Sequence, residues 1–172
     1  MSTPSRRPQL LQAAAAVVRR AGAEALTLDA VAAEAGVSKG GLLYHFPTKD
    51  ALIQGLLVAA LDRFDDALRS EPQVDPGDLG RAYLRVTAEG ASEDSSLIAV
   101  IAQRPELIAP MRARYAHWTA ALVADAGDPV EAWVMRLTAD GLWLADVLDL
   151  APPDAALRAQ ILAHFSKPQA AQ

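Results

Sequence analysis

The side chains able to break or form bonds are few and scattered along the chain. Its 172 residues include three histidines, His45, His117 and His164, and no cysteine. Without cysteine there is no thiolate nucleophile, no zinc–thiolate site and no disulfide framework. The histidines stand on separate segments, without the His-x-x-x-His or Glu-x-x-His spacing of a metal-binding helix. A Gly-x-Ser-x-Gly elbow and a phosphate-loop glycine pattern are also missing. The adjacent acids Asp65-Asp66 and Glu93-Asp94 would point to different sides of a helix and read as solvated charge rather than a catalytic dyad. No enzyme activity, metal or cofactor is expected. What is concentrated instead, between Thr27 and Lys49, is a set of donors and small residues: Thr27, Ser38, Lys39, Gly40, Gly41, Tyr44, His45 and Lys49. Such side chains hold phosphates and touch base edges.

The elements that must position them are helical. Ala and Leu dominate an apolar fraction of 52%, and strand-like β-branched or aromatic runs are scarce. Pro8 suits a helix start, and Leu10, Leu11, Ala14, Val17, Val18 and Ala21 repeat at helical spacing up to a stop at Gly22. Thr27 caps a short helix, Leu28 to Ala35, closed by Gly36; Ser38 caps another that runs through Phe46 to the break at Pro47. Helix, glycine turn and short helix make a helix-turn-helix. Its second helix would anchor through Leu42 and Phe46 on Val17, Val31 and Val37, turning Lys39, Gly40, Gly41, Leu43, Tyr44 and His45 outward. Two successive glycines near a helix start cost about 1 kcal/mol each against alanine. Either they begin a loop, or another backbone approaches closely there. Lys49 opens the next helix, where a carboxylate would suit the dipole better and a lysine makes sense beside a bound phosphate.

Charge is distributed to match. The net charge is −5, but residues 1–50 hold six basic and four acidic side chains, so the acidic excess lies wholly in residues 51–172. The N-terminal segment is the side that approaches phosphates. Arg6 and Arg7 precede the first helix and serve either a neighbouring phosphate or solubility. No signal peptide and no apolar run of membrane-spanning length is visible, so a cytoplasmic protein with no membrane partner is expected.

The stretch from Thr27 to Leu52 resembles the DNA-binding segment of the TetR family. That segment ends in a Leu-aromatic-x-His-Phe-x-x-Lys-x-x-Leu pattern, which falls here on Leu42 to Leu52, and the resemblance covers about residues 8–55. It implies that Thr27, Tyr44, His45 and Lys49 hold phosphates and that Ser38, Lys39, Gly40 and Gly41 sit against the operator. The aromatic position after Leu42 is Leu43 here, which has no donor but is able to touch a thymine methyl. The resemblance further implies an all-α protein with a helix-turn-helix domain over 1–50 and a helical ligand-binding and dimerisation domain over 51–172. It would be a repressor that binds a palindromic double-stranded operator as a homodimer. A small-molecule effector would release it by favouring a conformer in which the fourth helix swings.

Beyond Thr48 the periodicity predicts helices over Lys49–Arg69, Asp78–Gly90, Glu93–Gln103, Leu107–Asp125, Pro129–Asp149 and Asp154–Phe165, then a frayed tail. Trp133, Leu137, Gly141, Leu144, Ile161 and Phe165 lie on apolar faces that either pair two copies of the chain or close its own core. Tyr83, Met111, Tyr115, Trp118 and Trp143, with Trp133, His117 and Arg85, either line a ligand pocket or fill that core.

Overall fold

A computed structural model describes residues 6–73, 75–90 and 105–165. Among these residues there is no strand, and eight α-helices follow one another. They are α1 (Arg7–Ala21), α2 (Leu28–Glu34), α3 (Lys39–His45), α4 (Lys49–Ser70), α5 (Asp78–Gly90), α6 (Ala109–Ala126), α7 (Pro129–Leu148) and α8 (Ala155–Phe165). The helix expected over Glu93–Gln103 and the tail from Ser166 lie outside the described residues. Two compact units are formed, changing over between Asp62 and Arg63 in α4 and between Ala113 and Arg114 in α6.

In the first unit each boundary has a local cause. Gly22 takes φ +80° after α1, and its N–H bonds to the Val18 carbonyl. The Thr27 hydroxyl accepts from Ala30 N at 3.1 Å and the Ser38 hydroxyl from Gly41 N at 3.1 Å, so both expected N-caps are formed. Gly36 at φ +65° supplies the turn between α2 and α3. α3 ends at His45 and not at Phe46, because Pro47 pushes the residue before it out of the helical region and Phe46 is extended at φ −136°. Thr48 caps α4, accepting from Ala51 N at 3.0 Å. Arg7 is the first residue of α1 rather than part of an arm before it, and its guanidinium lies 5.0 Å over the Phe46 ring.

The core of this unit is a single cluster. Leu10, Ala14, Val17 and Val18 of α1 meet Leu26, Val31, Leu42, Phe46, Leu52, Ile53 and Leu56, with Val37 packed against the edge. Leu42 and Phe46 are 0% and 1% exposed. That burial anchors a seven-residue helix too short to persist alone.

The second unit rests on close packing of α5 against α7. A Cβ on Gly80 would come within 3.0 Å of Met135 Sδ, so the glycine lets the two helices approach. Phe64, Tyr83 and Trp118 form an aromatic cluster, with Phe64 and Trp118 centroids 4.6 Å apart. The Trp118 indole N–H donates to Asp65 Oδ1 at 2.6 Å, and Arg114 pairs with the same carboxylate. Asp128 caps α7 by accepting from Val130 N at 2.8 Å, ahead of Pro129 in the first turn. The chain leaves α7 through two left-handed residues, Asp149 and Ala151, before Pro152 and Pro153.

Gly55 is where the first core has no slack. A Cβ there would lie 2.7 Å from Phe46 Cε1 and 3.1 Å from Leu11 Cδ2. Gly55→Ala should therefore lower stability by about 1–3 kcal/mol, although alanine is the better helix former. Urea denaturation checks this, and a raised midpoint would contradict it.

Candidate nucleic-acid interface and ligand cleft

With Leu42 and Phe46 turned inward, α3 presents the opposite face to solvent. Gly40, Gly41 and Tyr44 are exposed there, with Tyr44 open at 86%; Lys39 is exposed in the first turn beside that face, and Leu43 and His45 are half-buried. The Tyr44 ring meets the His45 ring edge-on at a centroid distance of 5.1 Å. Thr27 and Ser38, the two caps, are exposed beside it, and Lys49 is half-buried at the first position of α4. The residues singled out in the sequence from Thr27 to Lys49 thus belong to one unit and stand on α3 or at helix starts.

The glycines on this face differ from Gly55 and Gly80. Gly40 and Gly41 both lie within α3, so they do not begin a loop. A Cβ on Gly40 would meet nothing within 4 Å, and one on Gly41 only Ser38 Oγ at 3.4 Å and Val37 Cβ at 3.9 Å. Crowding among the described residues does not require them. Lys39 is held by a neighbour: its ammonium donates to Asp29 Oδ2 of α2 at 3.0 Å. Both groups are open to water, and such a pair contributes about 0–1 kcal/mol, so a phosphate or base competes for Lys39 at small cost. Lys49 makes no ion pair among the described residues, although it sits where the helix dipole disfavours a cation.

The second unit contains a separate feature. An open cleft of about 480 Å³ is lined by Tyr115, Ala116, Thr119, Ala120 and Val123 of α6 and by Trp133 and Arg136 of α7. The Arg136 guanidinium lies 4.7 Å over the Trp133 ring and 5.3 Å over the Tyr115 ring. Its Nε donates to Asp140 Oδ2 at 3.1 Å, and Asp140 Oδ1 accepts from the Tyr83 hydroxyl at 2.9 Å. Burial pushes the Asp140 carboxyl above its ordinary range, against the hydrogen bond from Tyr83 and the charge of Arg136. Burial, then the nearby Asp140 charge, raises the Tyr115 phenol to about 12, and Tyr83 is raised further, chiefly by its own burial.

Of the aromatics considered for a pocket, Tyr115 and Trp133 line the cleft, and Tyr83 stands behind it in the core. Trp118 is committed to the aromatic cluster and Asp65. Trp143 is half-buried on α7 and does not line the cleft. Met111 falls in the first unit. Arg85 pairs with Glu71 at 2.7 Å. Arg136 and Asp140 were not singled out from the sequence. Their signal was an Arg–Asp pair four residues apart, on the same helical face as Trp133, with Arg136 the one basic residue of the helix.

Five exposed apolar residues of α7 follow one stripe, Val130, Val134, Leu137, Leu144 and Leu148, with Gly141 open between them and the exposed Trp133 beside it. Ile161 and Phe165 of α8 are half-buried. No described helix is long and apolar enough to cross a membrane.

Known proteins share both halves of this arrangement. Residues 10–56 match the family model described as bacterial regulatory proteins, tetR family, and residues 77–167 match the Tetracyclin repressor-like, C-terminal domain. The HTH-type transcriptional regulator BetI of Yersinia pestis is 30% identical over 94 residues, 55% of this chain and 48% of BetI, so the match spans about half of that relative. A TetR family member from Streptomyces coelicolor superposes with a TM-score of 0.75 at 30% identity, covering 96% of this chain and all of the other. The multidrug binding protein EbrR, in complex with ethidium, gives a TM-score of 0.70 at 28% identity, covering 95% of this chain and 99% of EbrR. With a capped helix-turn-helix in one unit and a helical cleft in the other, the chain belongs to the TetR family of transcriptional regulators, which bind DNA and do not catalyse reactions.

Proposed function

We propose that the chain is a repressor that binds a palindromic operator as a homodimer and is released by a small molecule. The observation that carries the DNA half is the outer face of α3. It is a short helix anchored by Leu42 and Phe46, with two glycines that no crowding among the described residues requires and an almost fully exposed tyrosine. The glycines let a sugar-phosphate backbone and base edges come close to the helix. Lys39 and Gly41 meet bases, Leu43 offers a methyl contact to thymine, and Thr27, Ser38, Tyr44, His45 and Lys49 hold phosphates. Lys49 then gains the charge partner it lacks among the described residues.

The exposed stripe along α7 supports pairing of two copies. Leu137, Gly141 and Leu144 would meet their symmetry mates, with Ile161 and Phe165 of α8 closing a four-helix contact. Gly141 has nothing within 4 Å of its Cβ position, which leaves room for a second helix. Residues of α4 belong to both compact units, and this gives a covalent route by which effector binding biases the reading head. EbrR, crystallised with ethidium, supports a ligand-binding role for the second unit.

Fluorescence anisotropy of the purified protein on its own upstream DNA, against scrambled DNA at two salt concentrations, tests the reading. Tight, salt-sensitive binding of two chains to a palindromic fragment is expected; equal weak binding to both DNAs would overturn it. Lys49→Ala should weaken binding to every sequence and flatten the salt dependence by about one phosphate. An unchanged slope would remove Lys49 from the contact set. Gly40→Ala should separate stability from function: the thermal midpoint rises, by up to about 1 kcal/mol of stability, while operator affinity falls. Unchanged affinity in that variant would mean that no backbone approaches Gly40.

A further inference from the structure

The cleft between α6 and α7 has a definite chemical preference. Arg136 is its charged lining residue, and no Asp or Glu lines it. Three contacts fix the guanidinium: the Trp133 ring at 4.7 Å, the Tyr115 ring at 5.3 Å and the Asp140 carboxylate on Nε at 3.1 Å. The terminal Nη nitrogens have no hydrogen-bond partner among the described residues. Arg136 is also the strongest donor of the lining: the Thr119 hydroxyl already spends its hydrogen on the Tyr115 carbonyl at 2.7 Å, and Ala116, Ala120 and Val123 are apolar. A guanidinium whose faces and Nε are engaged loses little freedom on binding, and its remaining N–H groups match the two oxygens of a carboxylate.

We propose that this cleft binds a small carboxylic acid with a flat apolar body, its carboxylate on the Nη groups of Arg136 and its body on Ala116, Ala120, Val123 and Trp133. The inference rests on the reading of the second unit as a ligand-binding unit, and it adds the charge and the contact residue. Flat cations, by the same geometry, meet the guanidinium and are disfavoured. Asp140 is a positioning residue: it holds Arg136 by Nε and is itself held by Tyr83.

Isothermal titration calorimetry of the full chain without DNA tests this with three flat probes: 1-naphthoate, the neutral 1-naphthamide and the cation ethidium. Naphthoate should bind at least about tenfold more tightly than either of the others, the gain of charge-assisted over neutral hydrogen bonds. Arg136→Gln should abolish that preference. Arg136→Lys should reduce it, because a point charge replaces the fork. Should the Arg136 variants fold poorly by circular dichroism, Ala120→Trp fills the cleft from an exposed position of α6 and should abolish naphthoate binding while leaving Arg136 in place. Ethidium binding more tightly than naphthoate, equal affinity for acid and amide, or no naphthoate binding at about 1 mM would each overturn the proposal. Anisotropy with operator-bound protein keeps the two readings apart. Naphthoate that binds through Arg136 without releasing DNA supports the cleft chemistry and contradicts ligand release.

Discussion

The arrangement of the reading head depends on the burial of Leu42 and Phe46. A helix of seven residues has little stability of its own, so α3 exists because these two side chains, four apart, enter the cluster built by α1, α2 and the start of α4. The orientation of the remaining residues follows from that anchoring. Once Leu42 and Phe46 point inward, Gly40, Gly41 and Tyr44 must point outward, while Lys39 stays exposed because it opens the first turn, and the Ser38 cap and the Phe46–Pro47 break set where the helix starts and stops. Gly55 shows how little tolerance this leaves: the Phe46 ring occupies the space a single methyl would need.

The same test, applied to other glycines, separates internal from external constraints. Gly55 and Gly80 are glycine because another part of this chain is in the way. Gly40 and Gly141 lie in helices with open space beside them, so packing among the described residues gives no reason for a residue that costs a helix about 1 kcal/mol against alanine. One sits on the outer face of α3 and the other on the exposed apolar stripe of α7. Both positions are accounted for if the missing neighbour is another molecule: the operator in the first case and a second copy of the chain in the second.

Much of this was legible in the sequence, and the exceptions have physical causes. The N-caps Thr27 and Ser38, the glycine turns at Gly22 and Gly36, and the inward pair Leu42–Phe46 are local signals, fixed by a few neighbouring residues. Helix ends were less exact where two local rules competed, as at Phe46, which has helical spacing but precedes a proline. The cleft was only partly legible, because which of several aromatics meet depends on packing between helices far apart in sequence. Tyr115 and Trp133 do line it, whereas Trp118 is drawn into the core by Phe64 and Asp65. Arg136 was hidden by context, since a lone cation in an apolar helix looks like a solvated side chain until the two rings and the carboxylate around it are seen. Lys39 gave the reverse surprise. Its type suits DNA, but in the free protein it is paired with Asp29, which no periodicity announces.

The most direct test of the account is hydrogen–deuterium exchange of the whole protein, free and bound to a fragment of its own upstream DNA. If the outer face of α3 meets the operator, DNA should slow exchange in the segment from Thr27 to Lys49, most at the Ser38–Gly41 amides near the exposed start of the helix. Bound DNA that leaves this segment unchanged, and protects another part of the chain instead, would contradict the account.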